Sequence, residues 1–139
     1  MQHKIRSRMT GKIALIIHQS RTIAATLQNC LVKCGFVEED IIWVINVSAA
    51  LPILDKLVFD LVLTQFATFD KTGSGYSGQF VCEKVKSQNP GTKTVVLIDG
   101  DPFSRQTAPL NQFEHADKLL QLPSTDDALI AILDEIFTM

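Results

Sequence analysis

At residues 59–65 the chain reads Phe59-Asp60-Leu61-Val62-Leu63-Thr64-Gln65. The centre of this stretch is a short apolar run without polar alternation, which is typical of a strand buried on both faces of a parallel sheet. We therefore predict a buried strand over Asp60–Thr64, with Gln65 at its carboxyl end.

Other stretches of the chain share this apolar character and strand-like length. They are Lys12–Ile17, Ile41–Ile45, Thr94–Ile98 and Lys118–Leu122. Polar or turn-forming residues bound each run, as expected for strands that are separated by loops and helices. Together with the first stretch, these runs predict a sheet of five strands.

Helical patterns lie between the predicted strands. The first helix is predicted to begin after the cap Ser20 and to end at Gly35. Its apolar face is formed by Ile23, Leu27, Cys30, Leu31 and Cys34. The second helix is predicted to be capped by Ser48, with Pro52 in its first turn, where proline is best tolerated.

The later helices are less uniform. A third helix is predicted from about Gln79 to Ser87, and prolines at 102 and 109 predict a short or broken helix within residues 99–114. Ser124-Thr125-Asp126-Asp127 combines a cap with acids in a first turn and predicts a last helix that runs to about Phe137. No periodicity predicts structure in the loop Phe66–Gly78.

This alternation of strands and helices predicts an α/β fold of the (βα)5 type, with a doubly wound, flavodoxin-like parallel sheet and right-handed crossovers. We interpret residues 1–11 as a flexible N-terminal arm and residues 12–139 as one domain. Binding residues of such sheets lie at the carboxyl ends of the strands. The residues found there are His18, Gln19, Asn46, Gln65, Asp99 and Leu122.

The composition narrows the classes of function. The 139 residues are 46% hydrophobic and 20% charged with a formal net charge of -2, which indicates one soluble domain without the basic stripe of a nucleic-acid-binding protein. No apolar run is long enough to span a membrane. Three cysteines lack metal-ligand spacing, so we expect reduced, buried thiols in a cytoplasmic protein.

The chain resembles the receiver domain of bacterial two-component response regulators, of the chemotaxis-regulator type. The stretch Ala116–Pro123 is similar to the last strand of a receiver and its Lys-Pro ending. Asp60–Leu63 resembles the strand that leads to the phosphorylated aspartate, and Gly78 resembles the glycine that opens the third helix. The resemblance implies the strand order 2-1-3-4-5.

The resemblance fails at the positions that carry the family's chemistry. His18 and Gln19 stand where two acids bind magnesium in the family, and Gln65 stands at the phosphoacceptor position. Asp99 aligns with the switch Ser/Thr, a role that falls to Ile98 if the register slips by one. Leu122 replaces the lysine before the proline.

These replacements remove the requirements of aspartyl phosphorylation. The reaction needs a carboxylate nucleophile, which the amide of Gln65 does not supply. Magnesium prefers hard oxygen ligands, usually including carboxylates, and Leu122 cannot pair with a phosphoryl group. We therefore expect no catalytic residue, no metal site and no cofactor.

Several alternatives remain open from the residues alone. Asp99 and His18 could form a rearranged cation site, and His18 could be a pH-sensitive contact or a neutral, hydrogen-bonded histidine. Asp70 could be a displaced phosphoacceptor. The glycine-rich loop could cradle phosphate, act as a lid or bind a partner.

The last helix has a wide apolar arc. Leu129, Ile132, Leu133 and Ile136 share one face that should pack on the sheet, and Ile130 and Phe137 widen it. The arc is either a broad buried stripe against the first helix or a docking surface. In the second case the candidate surface residues are Leu119, Gln121, Ile130 and Phe137.

We expect a phosphorylation-independent pseudo-receiver that acts in signal transduction as a regulatory protein-protein interaction domain. It would bind a protein partner or a fused output domain, as in transcription regulation, or form a homodimer through the last helix and strand. It could be the N-terminal module of a larger regulator. The alternative is a small-molecule sensor that uses the pocket of His18, Gln19, Gln65 and Asp99.

Overall fold

The computed structural model describes residues 9, 11–69, 75–98, 115–122 and 125–137. Along the chain, its helices and strands are β1 Ala14–Ile17, α1 Arg21–Lys33, a 3₁₀ turn Glu38–Asp40, β2 Ile41–Val44, α2 Val47–Lys56, β3 Leu61–Gln65, β4 Ala67–Phe69, β5 Gly75–Ser77, α3 Gly78–Gln88, β6 Lys93–Ile98, β7 Lys118–Gln121 and α4 Asp126–Phe137.

Five strands form one parallel sheet in the order β2-β1-β3-β6-β7. Because β6 and β7 are the fourth and fifth strands of this sheet along the chain, the predicted order 2-1-3-4-5 is confirmed. The stretch that suggested the fold, now β3, lies at the centre of the sheet between β1 and β6.

The sheet is buried on both faces. Leu63 and its neighbours Ile16 and Val95 pack with Leu31 of α1 and Leu133 of α4. On the opposite face, alternate residues of the same strands pack against α2 and α3; they include Leu15, Ile17 and Val62. This explains the absence of polar alternation, since consecutive residues of a buried parallel strand face two apolar layers.

The cap of the first helix is confirmed. Ser20 accepts a hydrogen bond from the Ile23 amide at 3.2 Å, and Gly35, just beyond the helix, has a positive φ of 112°. That conformation is readily adopted by glycine, which explains the stop.

The predicted start of α2 is wrong by two residues. Asn46, not Ser48, is the cap, and its Oδ1 accepts the Ala49 amide hydrogen at 2.9 Å. Because asparagine caps at least as well as serine, the helix begins earlier, and Pro52 lies inside it rather than in its first turn.

Part of the predicted loop between β3 and α3 is a hairpin. Strands β4 and β5 pair antiparallel, with Thr68 opposite Tyr76. The fully buried Thr68 accepts the Val47 amide hydrogen at 3.0 Å through its Oγ1, which ties the hairpin to the start of α2. The two residues of this contact lie far apart in sequence, so no local pattern predicts it.

Within the predicted arm of residues 1–11, the structure describes Met9 and Gly11. Met9 is fully buried in the layer of α1 and α4, and its carbonyl accepts the Lys12 amide hydrogen at 3.0 Å. Met9 thus packs against the domain, and the predicted boundary at residue 12 stays a prediction. Residues 1–8, the broken helix expected within residues 99–114, and Asp70 lie outside the described residues.

The three cysteines are free and buried, as predicted. A hydrogen bond with Cys34, together with burial, raises the pKa of Cys30, and burial raises the pKa of Cys82 to about 11. Both thiols therefore stay protonated at neutral pH and fill the core. Within the described ranges, no helix has the length and apolar character needed to cross a membrane.

Candidate functional site at the carboxyl end of the sheet

The structure brings three of the predicted site residues together. His18 and Gln19 follow β1, and Gln65 ends the adjacent strand β3. Gln65 Oε1 accepts the Gln19 amide hydrogen at 2.9 Å. Gln65 therefore joins two neighbouring strand ends.

His18 is a buried, hydrogen-bonded residue with a fractional exposure of 2%. Its Nδ1 accepts the Ser20 amide hydrogen at 2.9 Å, and its carbonyl accepts the Trp43 Nε1 hydrogen at 2.8 Å. In the neutral ring the proton then resides on Nε2, and the Nδ1 lone pair is occupied by the amide of Ser20. These bonds hold the turn from β1 into α1 and favour the interpretation of a neutral histidine.

Gly78 is fixed by close packing against the same strand end. Its amide donates to the Phe66 carbonyl at 2.6 Å. A Cβ at position 78 would lie 3.0 Å from the Gln65 carbonyl oxygen and 3.3 Å from Val96 Cγ1. Any side chain at position 78 would therefore be in tight contact with β3 and β6 where α3 starts.

Leu122 belongs to the core rather than to a polar site. It is 5% exposed and packs in the layer of α1 and α4, while its amide donates to the Ile98 carbonyl at 2.7 Å. The neighbouring Gln121 directs its Nε2 to the carbonyls of Ile98 and Leu122, both at 3.0 Å. Asp99 lies outside the described residues, so its predicted place beside His18 stays a prediction.

Magnesium does not fit the side chains that the structure places at this end. The Nδ1 of His18 and the Oε1 of Gln65 each accept a backbone amide hydrogen, and neither residue supplies a carboxylate. Among the described residues, no three His, Cys, Asp or Glu side chains are grouped to hold a metal ion.

At the amino end of the sheet, by contrast, two carboxylates accept backbone amide hydrogens. Asp60 Oδ2 accepts the Ile13 amide hydrogen at 2.9 Å. Asp117 Oδ2 accepts the Thr94 amide hydrogen and a hydrogen of Lys86 Nζ, both at 2.8 Å. Sequence reasoning did not single out Asp117; its position just before a predicted strand was the available signal.

The four candidate surface residues do not form one flat patch. Ile130 and Phe137 are partly buried on the side of α1, and Lys12 Nζ lies 5.3 Å from the centroid of the Phe137 ring. Leu119 packs on the opposite face with Cys82, Val96 and Ile98. A partner that contacts these residues and Gln121 at the same time would have to reach around the outer side of β7.

No protein-family model matches the sequence, and no curated protein matches it in sequence. Solved structures do share its fold. A response regulator receiver domain protein from Clostridium thermocellum is 19% identical with a TM-score of 0.72, over 91% of this chain and 94% of that one. An uncharacterized protein from Neptuniibacter caesariensis is 15% identical with a TM-score of 0.76, over 93% and 89%.

A third similar structure is much longer. NtrX from Brucella abortus, solved in complex with ATP, is 16% identical with a TM-score of 0.73 over 91% of this chain but 27% of that chain. At these identities the likeness concerns the fold alone. The chain therefore has the flavodoxin-like α/β fold of response-regulator receiver domains, with amide, imidazole and aliphatic side chains at the carboxyl ends of β1, β3 and β7.

Proposed function

We propose that this protein is a phosphorylation-independent pseudo-receiver that regulates signal transduction through protein-protein contacts. One observation carries the proposal. At the position where a receiver needs a free carboxylate, the side chain of Gln65 accepts the backbone amide hydrogen of Gln19 at 2.9 Å. An amide in this arrangement has neither the nucleophilicity nor the charge for phosphoryl transfer.

The shared fold supports the regulatory part of the proposal. Receiver domains are among the structures that superimpose on nearly the whole chain. The match to 27% of NtrX indicates that the same fold can be one part of a longer protein. On this basis the partner is a separate protein or a fused output domain, and direct nucleic-acid binding is not part of the function.

The proposed contact surface is the side of the domain formed by α4 and β7. Ile130 and Phe137 of α4 are partly buried, so each combines packing with a remaining accessible area. Gln121 and Leu119 extend this surface onto β7. The surface would serve a partner protein or a second copy. The reduced, buried thiols suit the cytoplasm.

Intact-mass measurement after incubation with acetyl phosphate and magnesium tests the absence of phosphorylation. We expect no phosphate adduct on this protein under conditions that label an ordinary receiver domain run in parallel. A stoichiometric adduct on the native chain, mapped to any carboxylate, would contradict the proposal.

The contact surface is tested separately with Ile130→Asp. Binding to a partner recovered with the wild-type protein should be lost, while Val58→Asp should bind normally, because Val58 lies at the junction of α2 and β3. Thermal melts establish that both variants are folded. Normal binding by a folded Ile130→Asp variant would exclude α4 as the contact surface.

A further inference from the structure

Strand β2 lies at one edge of the sheet and is only four residues long, but it carries none of the charges or prolines that normally protect an edge. Natural edge strands carry lysine, proline or a bulge, which oppose pairing with another chain. Residues Ile41–Ile45 are all apolar and include neither charge nor proline. The opposite edge strand, β7, does carry such a charge, since Lys118 forms an ion pair with Glu135 at 2.6 Å.

The backbone of β2 presents hydrogen-bonding groups to the outside. The Val44 carbonyl accepts the His18 amide hydrogen at 3.1 Å, so Val44 faces β1. Because N–H and C=O groups of successive residues point to opposite sides of a strand, Trp43 directs both groups away from the sheet. Within the described part of the chain, β2 pairs with no strand besides β1.

Side chains along this edge are partly accessible. Ile45 is 50% exposed, and Val37, which precedes the strand, is 41% exposed. The strand thus offers an apolar surface together with the outward-facing backbone groups of Trp43, while the Ile41 amide already donates to the Glu38 carbonyl. Apolar side chains and outward backbone groups together favour the addition of another strand.

Charges at the two ends of β2 specify the direction of an added strand. Glu38, Glu39 and Asp40 form the turn before the strand, while the Arg21 guanidinium lies 6.0 Å from the Trp43 ring near its other end. A parallel second copy would oppose acids with acids. An antiparallel second copy places the acids of each chain beside Arg21 of the other.

We propose that β2 pairs antiparallel with β2 of a second copy of this protein, about a two-fold axis near Trp43. This arrangement is self-complementary, as a two-fold interface requires, and it joins the two sheets into one. It puts Ile41 of each chain opposite Ile45 of the other. The proposal concerns a different surface from α4 and does not depend on the proposed signalling function.

Sedimentation velocity over a concentration series tests the pairing. The wild-type protein should form a reversible dimer, and Ile45→Lys should weaken it by about tenfold or more, which corresponds to about 1.4 kcal/mol. The matched control is Val58→Lys, which places the same charge on a valine that is 67% exposed at a distant site. It should dimerise like the wild type.

A charge exchange tests the direction of pairing. Arg21→Glu should weaken the dimer, and the double variant Arg21→Glu with Glu39→Arg should restore it. Hydrogen exchange provides an independent readout, because the Trp43 amide should become more protected as the dimer forms.

Three results would overturn the proposal. The first is a wild-type protein that stays monomeric at the highest concentration. The second is a dimer that Ile45→Lys and Val58→Lys affect equally. The third is a dimer that is lost in Ile130→Asp while Trp43 exchange stays independent of concentration.

Discussion

The two ends of the sheet are built from different chemistry. At the amino end, the carboxylates of Asp60 and Asp117 accept backbone amide hydrogens, and Asp117 also pairs with Lys86. At the carboxyl end, the neutral side chain of Gln65 bonds an exposed amide, and Leu122 is buried in the core. Among the described residues, carboxylates therefore bond the backbone at the amino end of the sheet, whereas an amide side chain does so at the carboxyl end.

This difference has a physical reason at each end. Asp117 connects β6 with α3, because Thr94 belongs to β6 and Lys86 to α3. Thr94 is fully buried, so its amide needs a partner when water is excluded. The Gln19 amide lies in an exposed setting, where water can replace Gln65 at little cost.

The largest expected effect of a substitution on stability is therefore at the amino end of the sheet. Asp117→Ala should lower the free energy of unfolding by about 2–3 kcal/mol, since it removes charged hydrogen bonds and leaves a buried amide unpaired. Urea denaturation measures the loss. Asp117→Asn, which keeps an acceptor for Thr94 but loses the charge, should cost less. An alanine variant as stable as the wild type would refute the role given to Asp117.

A smaller effect is expected where α3 starts against β3. Gly78→Ala should cost about 1–2 kcal/mol, because the added Cβ would approach the Gln65 carbonyl oxygen and Val96. Gly91→Ala is the matched control, since its added Cβ would meet its nearest neighbour at 3.7 Å. Equal unfolding midpoints for the two variants would show that the close approach at Gly78 carries no energetic weight.

A still smaller effect on stability is expected from the side chain of Gln65 at the carboxyl end of β3. Gln65→Ala should change the free energy of unfolding by less than about 0.5 kcal/mol, in line with exposed substitutions. Compared with Asp117→Ala in the same denaturation series, it measures the contrast between the two ends directly. A loss as large as that of Asp117→Ala would remove the contrast.

The smallest effect on stability is expected at a surface ion pair that belongs to neither end of the sheet. A hydrogen bond and charge attraction from Lys33 lower the pKa of Asp126 below its usual value of 3.8. A lowered pKa in the folded state stabilises above pH 3.8, and this stabilisation is lost as the pH falls through the folded value. Lys33→Met should therefore reduce stability slightly at neutral pH and not at all in strong acid.

Thermal melts across this pH range provide the check. Because both side chains are exposed and screened by solvent, the wild type should exceed Lys33→Met by a small margin that disappears on acidification. A difference that grows as the pH falls would have the wrong sign for this pair.

The sequence predicted the strands because apolar runs and caps are local signals, whereas the resemblance to receiver domains implied the order of the strands. Residues Leu61–Leu63 and Ser20 act through their immediate neighbours. The β4–β5 hairpin and the role of Asp117 could not be predicted in the same way, because they depend on contacts such as Thr68 with Val47 and Asp117 with Lys86. Those partners meet only once the sheet has formed.

In the candidate site, too, some features were predictable from the sequence and others were not. The identity of the residues at the carboxyl ends of the strands was readable from the sequence, and it predicted that the requirements of aspartyl phosphorylation are missing there. The hydrogen bonds of these residues were not readable from the sequence. Residue types alone do not show that Gln65 accepts the Gln19 amide hydrogen or that His18 accepts the Ser20 amide hydrogen. The burial of Leu122 in the core likewise depends on the packing of α1 and α4.

The most direct test of a chemically silent carboxyl end is an NMR titration with magnesium followed by beryllofluoride, which mimics a phosphoryl group on a carboxylate. We predict no saturable shift of the Gln19, Ser20 and Gln65 amides. Saturable, magnesium-dependent shifts of these amides would contradict it.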